Sequence, residues 1–131
     1  MIVLDASAAV RLLDDESQLS EHVEIIVAAS GGRIHVPTHF KVEVLSAMRG
    51  LYLSGRFTRS EFVGRGGVVD QFPVFSHDIE PLITRVLALA DNATVYDAAY
   101  LALAEVLDCP LVTADNRLAD IPGSRAKVLL V

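Results

Sequence analysis

The sequence predicts an α/β fold in which a central, mostly parallel sheet of about four to five strands carries helices on both faces. Two observations predict it. Short apolar runs recur along the chain, and segments with helical spacing of apolar residues lie between them. Strands that alternate with helices form parallel sheets, because each crossover returns the chain to the same end of the sheet. With 131 residues, 52% of them hydrophobic, we expect a single domain over residues 1–131 with a substantial core.

The first half of the chain is predicted to contain two strands and three helices. The apolar run before Asp5 predicts a buried strand, and Asp5 is placed to cap the helix that follows. Gly31 and Gly32 end the second helix, and Pro37 ends the second strand. Thr38 is placed to cap the third helix. The predicted elements are a strand ending at Leu4, helices at Ser7–Leu13 and Gln18–Ser30, a strand at Ile34–Val36 and a helix from Thr38 to about Leu53, with the acidic cluster Asp14–Ser17 capping the second helix.

The second half of the chain is predicted to contain three further strands. Thr58 and Glu61 have the spacing of a capping box, although the glycines at 64, 66 and 67 predict a weak or kinked helix after it. The richest helical segment has many alanines, whose small side chains allow close packing of neighbouring backbones. The predicted elements are strands at Pro73–Phe75, Leu111–Thr113 and Lys127–Val131, helices from Ile79 or Glu80 to Ala90 and from Val95 to Leu107, and a short turn or helix at Asp115–Asp120.

Charge is unevenly distributed along the chain. The whole sequence has 11 basic and 17 acidic residues and a net charge of −6, which argues against a protein that coats nucleic acid by bulk charge. The segment from Arg33 to Arg65 has six basic and two acidic residues, so it carries +4 and the remainder carries −10. We expect this basic segment either to face a polyanion or acidic partner, or to be a solvated helical surface.

The sequence also excludes several classes of protein. Cys109 is the only cysteine, so neither an internal disulfide nor a cysteine-based metal site can form. No basic segment precedes the first apolar run, and no apolar run approaches the roughly 20 residues of a membrane span. We therefore expect a cytoplasmic protein that does not associate with a membrane.

Four acidic residues are candidate site residues. Asp5 and Asp115 each follow a strand, so they lie at the same edge of the sheet if those strands are parallel. Glu43 lies at the border of the apolar face of the third helix, and Asp97 lies in the first turn of the alanine-rich helix. Each also has a purely structural explanation, because the three aspartates can cap helices and the glutamate can be a surface residue.

Carboxylates that gather in one place repel one another, so such a cluster needs protons or a cation. Ligands that are all oxygens select a hard divalent ion, Mg²⁺ or Mn²⁺. Such an ion lowers the pKa of bound water and shields negative charge during attack on a phosphodiester. We expect the hydroxyl groups of Ser7 and Thr113 to orient the carboxylates, with Asn116 and Asp120 as weaker candidates for a supporting role.

Four stretches spread over the chain carry a family pattern. They are Val3–Ser7, Val42–Leu45, Tyr96–Ala104 and Leu111–Leu118. The third stretch followed by Leu-Val-Thr-Ala-Asp is specific, whereas the opening Asp-Ala-Ser alone is weak. Together they resemble the PIN-domain ribonucleases of the VapC toxin family.

The resemblance implies a PIN-like domain and a metal-dependent endoribonuclease, the toxin of a type II toxin–antitoxin system. The implied catalytic and metal-binding residues are Asp5, Glu43, Asp97 and Asp115, with Mg²⁺ or Mn²⁺ as the cofactor and Ser7 and Thr113 in support. Some relatives have another acid two positions after the fourth, where this chain has Arg117. The implied partners are an RNA substrate, a second copy of the chain in a homodimer, and a VapB-type antitoxin whose C-terminal segment often points an arginine into the acidic site.

Two other functions stay open. An inactive PIN domain can serve as an RNA-binding or protein-interaction module, although the complete set of four acids speaks against it. An aspartyl-phosphate phosphatase also places an aspartate after its first strand. Such an enzyme needs a second aspartate two positions later, where this chain has Ser7, and no suitably placed lysine is evident.

Overall fold

A computed structural model describes residues 1–14 and 20–131 of the chain. Most of the predicted acidic cap and the predicted start of the second helix at Gln18 lie outside the described residues. The strands are β1 (Ile2–Leu4), β2 (Ile34–Pro37), β3 (Phe75–His77), β4 (Leu111–Thr113) and β5 (Val128–Leu130). The helices are α1 (Ala6–Leu13), α2 (Ser20–Ala29), α3 (Phe40–Leu53), α4 (Arg59–Gln71), α5 (Ile83–Leu89) and α6 (Val95–Leu107), with short 3-10 turns at Glu80–Leu82 and Asn116–Leu118.

The five strands form one parallel sheet in the order β3-β2-β1-β4-β5. In the centre of the sheet, Val3 pairs with His35 on one side and Leu4 pairs with Val112 on the other. Every residue of β1 and β4 is buried, as expected when helices cover both faces of a parallel sheet. The predicted α/β architecture is therefore confirmed.

Local signals in the sequence set where several helices begin. The Asp5 side chain caps α1 by accepting a hydrogen bond from the backbone N–H of Ser7. The predicted capping box is present at α4, where the Glu61 N–H donates to Thr58 Oγ1 at 3.1 Å and the Thr58 N–H donates to Glu61 Oε2 at 2.7 Å. At α6, Thr94 makes one of the two hydrogen bonds of this motif: its hydroxyl accepts from the Asp97 N–H at 3.1 Å.

Helix α6 is the centre of the core. It is buried continuously from Ala98 to Ala104, and it packs against β1, β2 and α5. The alanines allow this because their small side chains let the sheet and the neighbouring helix approach from different sides. Even so, no helix of the described residues is both long enough and apolar enough to cross a membrane.

Three predicted features differ from the structure. Thr38 does not cap the third helix: α3 begins at Phe40, and His39 stands at the capping position without a side-chain hydrogen bond. The third strand begins at Phe75 rather than Pro73. Strand β3 is an edge strand that pairs with His35 to Pro37, and its first two residues are exposed. The apolar run in the sequence therefore does not mark its position. The helix predicted from Ile79 or Glu80 begins as a 3-10 turn with Pro81 in it, and α5 starts only at Ile83. By contrast, the glycines at 64, 66 and 67 do not interrupt α4.

Glu105 joins three parts of the chain at the C-terminal end of α6. Its side chain is only 5% exposed, and it accepts hydrogen bonds from the Arg85 guanidinium at 2.7 and 3.0 Å and from the Arg125 N–H at 2.7 Å. Burial opposes its ionisation, but these donors outweigh burial and lower the pKa of Glu105 from 4.5 to about 2. The ion pair thus ties α5 and the segment before β5 to α6.

We expect Glu105→Gln to lower the free energy of unfolding at pH 7 by about 2–3 kcal/mol, because it leaves the partly buried Arg85 guanidinium without its counter-charge. The folded-state pKa is depressed, so this contribution is complete above the unfolded value near 4.5 and disappears as the pH falls toward 2. Denaturant unfolding at pH 7, 4 and 2.5 measures the difference, with the exposed residue Glu24 changed to Gln as control. A difference between the two variants that does not shrink with falling pH would contradict the assignment.

Candidate active site

The four acids predicted from the sequence lie around one cavity of about 370 Å³. It opens at the edge of the sheet where β1 and β4 end, and its walls come from those strand ends, α1, α3 and α6. The lining residues are Asp5, Ala6, Ser7, Glu43, Ser46, Ala47, Asp97, Tyr100, Asp115 and Arg117. Residues that are as many as 112 positions apart in the chain, Asp5 and Arg117, therefore share one acidic pocket.

Asp5 is held at the base of the cavity by a chain of hydroxyl groups. The Thr113 hydroxyl donates to Asp5 Oδ2, so the 3.2 Å contact between the Ser7 and Thr113 hydroxyls is a bond that Ser7 donates. Ser7 Oγ in turn accepts from the Ala114 N–H at 2.9 Å. This directed chain ends on the Asp5 carboxylate and links β1, α1 and β4.

Asp115 is paired with Arg117 at the mouth of the cavity. The Arg117 Nε atom lies 3.0 Å from both carboxylate oxygens of Asp115, and Nη2 lies 2.6 Å from Oδ2. The Arg117 N–H also donates to Asp115 Oδ1 at 2.9 Å. The guanidinium beside it holds the pKa of Asp115 below its ordinary value.

Glu43 is positioned by the Tyr100 hydroxyl and lies beside the His39 ring. The buried Tyr100 hydroxyl donates to Glu43 Oε2 at 2.7 Å, and burial together with this bond raises the pKa of Tyr100, which keeps the phenol neutral. His39, one turn before Glu43, places Nε2 at 3.3 Å from the same oxygen. The His39 ring packs edge-on against the rings of Tyr96 and Tyr100 at 5.3 and 5.1 Å between centroids.

Asp97 shows the electrostatic cost of gathering these acids. Burial raises its pKa, and repulsion from Asp115 and Glu43 raises it further against the effects of Thr94 and Arg117. The pKa of Asp5 is raised mainly by burial too, with a contribution from Asp97, although Thr113 and Ser7 oppose it. Two carboxylates of the cavity thus resist ionisation, which is the condition that a bound cation relieves.

Not every residue predicted for the site is brought to it. Asn116 is exposed and lies outside the lining, because the 3-10 turn that contains it buries Leu118 instead. Asp120 lines a separate cavity with Ile121 and Ser124. Thr113 is fully buried behind Asp5 and acts on it from below the cavity floor.

Three side chains around the cavity were given no role by the sequence reasoning. Tyr100 follows Asp97 by three positions and His39 precedes Glu43 by four, which are the spacings that put two side chains on one face of a helix. Helical periodicity therefore could have indicated both. In the sequence, Arg117 stands out only because some relatives have an acid at that position. Its bond to Asp115 depends on the local geometry of the turn, which a pattern of charges does not reveal.

The donor set fits a hard divalent ion by its chemistry, since four carboxylates and a serine hydroxyl meet in one pocket. Within the described part of the chain, however, no three acidic, histidine or cysteine side chains are arranged to hold an ion as they stand. Three of the four carboxylates are engaged by Thr113, Tyr100 or Arg117 instead. Binding an ion therefore requires these oxygens to be shared with it or released to it.

Comparison with known proteins identifies the family. The sequence profile described as "PIN domain" matches residues 2–124. Ribonuclease VapC12 of Mycobacterium tuberculosis is 41% identical over 135 residues, which cover 100% of this chain and 99% of that protein. This chain belongs to the VapC family of PIN domains. VapC ribonuclease Mb0985 of Mycobacterium bovis is 35% identical over 133 residues that cover 100% of this chain and 98% of the relative.

Two solved structures share the fold of this VapC-family chain. The structure of VapC20 from Mycobacterium tuberculosis, described as a sarcin-ricin loop cleaving toxin, superposes with a TM-score of 0.68 at 13% identity, covering 91% of this chain and 93% of that one. PAE2754 from Pyrobaculum aerophilum superposes with a TM-score of 0.65 at 20% identity, covering 97% and 81%. These similarities support the fold alone.

The phosphatase alternative has no support in the site. Such an enzyme needs a lysine near its nucleophile, and neither lysine of the chain lines the acidic cavity. Lys41 donates to the Asp70 carbonyl at 2.6 Å, and Lys127 lines a cavity beside Cys109 at the opposite end of β4. The position two residues after Asp5 is Ser7, which orients Asp5 rather than supplying a second carboxylate.

We expect Asp97→Asn to raise the free energy of unfolding at pH 7 by up to about 1 kcal/mol, because it removes a partly buried charge and its repulsion from two other acids. The folded-state pKa of Asp97 lies above the ordinary 3.8, so wild type loses stability as the pH rises through that window. The gain in the variant therefore vanishes below about pH 4. Thermal unfolding at pH 7 and pH 3.5 tests this, with Asp120→Asn as the matched control; a variant less stable than wild type at pH 7 would show that Asp97 is a structural cap.

Proposed function

We propose that this chain is the toxin of a type II toxin–antitoxin system and hydrolyses RNA phosphodiester bonds with a divalent metal ion. The observation that carries the proposal is the meeting of four acids from four separate elements in one cavity. Membership of a family whose relatives are named ribonucleases supports the reaction class. A purely structural use of the acids does not explain why they converge where mutual repulsion penalises them.

Asp5, Glu43, Asp97 and Asp115 would hold Mg²⁺ or Mn²⁺. When bound, the ion supplies a water of lowered pKa and neutralises charge that develops on the phosphate. The rest of the chemistry is positioning by the chain. Ser7 and Thr113 fix the orientation of Asp5, and Tyr100 fixes Glu43. Burial of Asp5 and partial burial of Asp97 raise the pKa of both, which favours a cation beside them.

The RNA is proposed to approach along α3, which carries Glu43 into the cavity and exposes Arg49. Other positive side chains of the basic segment already have partners, since Arg56 forms an ion pair with Asp14 at 3.0 Å and Lys41 donates to the Asp70 carbonyl. Arg49 is exposed on the same helix two turns beyond Glu43. This makes it the better candidate for a phosphate contact outside the cavity.

We also propose the partners that the family implies, a VapB-type antitoxin and a second copy of the chain. The acidic cavity suits a cationic side chain of such an antitoxin, because two of its carboxylates have raised pKa values in the absence of added positive charge. Size-exclusion chromatography with light scattering measures the mass of the isolated chain. A dimer mass is expected, and a monomer at micromolar concentration would contradict the second part of the proposal.

Asp97→Asn is expected to lower metal-dependent RNA cleavage by at least about 100-fold while the fold is retained, because it removes a ligand charge and keeps the side-chain volume. The assay incubates the purified chain, free of antitoxin, with a mixed pool of transfer and ribosomal RNA in Mg²⁺, Mn²⁺ or a chelator. Asp120→Asn, which changes an acid of the neighbouring cavity, is the matched control and is expected to cleave like wild type.

The alternative of an inactive module has one observation in its favour, namely that three of the four carboxylates are engaged by protein donors. The same assay separates the two functions. Discrete cuts that require metal and disappear in Asp97→Asn establish the nuclease. Folded wild type that binds Mn²⁺ and cuts no RNA in the pool would favour the module instead.

We expect Arg49→Gln to raise the KM for RNA several-fold with little change in kcat, since it removes one phosphate contact away from the reacting atoms. The dependence of kcat/KM on salt should also weaken, by about one unit of the logarithmic slope. Arg33→Gln is the control, because Arg33 is an exposed arginine at the start of β2, at the opposite edge of the sheet. Kinetics of Arg49→Gln equal to those of both wild type and Arg33→Gln would mean that Arg49 lies on a solvated surface and makes no phosphate contact.

A further inference from the structure

Arg117 is the one positive side chain among the described residues that line the acidic cavity. Its guanidinium makes three hydrogen-bond contacts of 2.6 to 3.0 Å with the Asp115 carboxylate. Asp115 is also one of the four acids proposed to hold the metal ion. The same carboxylate therefore has two competing cationic partners, one built into the chain and one from solution.

The ion pair between Arg117 and Asp115 is weak enough for another cation to replace the guanidinium. The Arg117 side chain is 82% exposed, and an exposed ion pair changes an equilibrium constant by no more than about fivefold. The backbone N–H of Arg117 makes a separate hydrogen bond to Asp115 Oδ1 at 2.9 Å. When the guanidinium leaves, this bond stays and keeps the carboxylate turned toward the cavity.

The released guanidinium has a suitable partner at hand. An RNA phosphate that enters the cavity meets four carboxylates, and repulsion from them opposes its approach. A guanidinium is planar and matches two phosphate oxygens with parallel hydrogen bonds. Arg117 lies at the mouth, next to the acids, so it can reach a phosphate near the site while the acids hold the ion.

We propose that Arg117 is an exchangeable counter-ion: it neutralises Asp115 in the free toxin and moves to an RNA phosphate once Asp115 takes up the metal ion. This rests on the proposed function and adds a substrate-binding residue to it. The exchange predicts effects of opposite sign in two measurements, because the same side chain opposes binding of the ion and favours binding of the RNA. A residue that only caps the turn would change neither.

The test uses three variants of the full chain. Arg117→Gln removes both the charge and the two-nitrogen contact of the guanidinium. Arg117→Lys keeps the charge but cannot bind Asp115 with two nitrogens. Arg125→Gln is the matched control, since Arg125 is also an exposed arginine, at 78% exposure, and pairs with the buried carboxylate Glu105 far from the cavity. Mn²⁺ affinity is measured by calorimetry without RNA, and KM and kcat are measured on the RNA that wild type cleaves.

We expect Arg117→Gln to bind Mn²⁺ about two- to fivefold more tightly than wild type and to raise the KM for RNA about tenfold. The salt dependence of kcat/KM should weaken by about one unit of slope. Arg117→Lys is expected to bind Mn²⁺ more tightly than wild type as well. This variant separates loss of the two-nitrogen contact from loss of charge. Arg125→Gln should match wild type in both assays.

Either half of the proposal can fail alone. Unchanged Mn²⁺ affinity in Arg117→Lys would overturn the exchange, because charge alone would then explain any effect in Arg117→Gln. Unchanged KM and salt slope in Arg117→Gln would overturn the phosphate contact. If wild type binds Mn²⁺ but cuts no RNA, the ribonuclease proposal fails and the phosphate contact falls with it, while the Mn²⁺ titration still decides the exchange at Asp115.

Discussion

The parallel pairing of β1 with β4 is the contact on which the rest of the site depends. Leu4 pairs with Val112, and the Asp5 N–H donates to the Val112 carbonyl at 3.0 Å. In this register both strands end together, so Asp5 and the residues after Thr113 leave the sheet at the same edge. A shift by one residue would turn Thr113 to the other face of the sheet and break its bond to Asp5. The hydroxyl chain from Ser7 through Thr113 is therefore possible only because the register holds.

Balancing negative charge is the second requirement of the site, and three of the four acids meet it, each with a different partner. A hydroxyl chain serves Asp5, a buried phenol serves Glu43, and a guanidinium serves Asp115. Asp97 is left with raised pKa and repulsion from its neighbours. The opposite end of α6 shows what full neutralisation does, because Glu105 between Arg85 and Arg125 has a strongly lowered pKa and serves stability. Helix α6 thus carries a carboxylate paired with two arginines at one end, Glu105, and a carboxylate repelled by other acids at the other, Asp97. The end with Asp97 is the one suited to binding a cation.

Much of the fold could be predicted because its signals are local. Capping residues such as Asp5 and Thr58 satisfy orphan N–H groups in their own turn, so sequence shows where α1 and α4 begin. The edge strand β3 was misplaced because Phe75 and Ser76 are exposed and its pairing depends on β2, which is remote in the chain. Asn116 was predicted to support the site for its polar side chain alone. Whether such a residue faces the cavity depends on which neighbour the core buries, and here that neighbour is Leu118.

By itself the sequence determined the α/β class, the family and which four acids line the cavity, because apolar periodicity, capping and motif spacing are written in consecutive residues. Only the tertiary structure decided which atoms satisfy those acids. Tyr100 reaches Glu43 across 57 positions and Thr113 reaches Asp5 across 108, and such contacts arise from the packing of α6 and β4 against the first strand and third helix. The physical reason is that a carboxylate responds to distance and burial rather than to its place in the chain, so its partners and its pKa exist only in the folded protein.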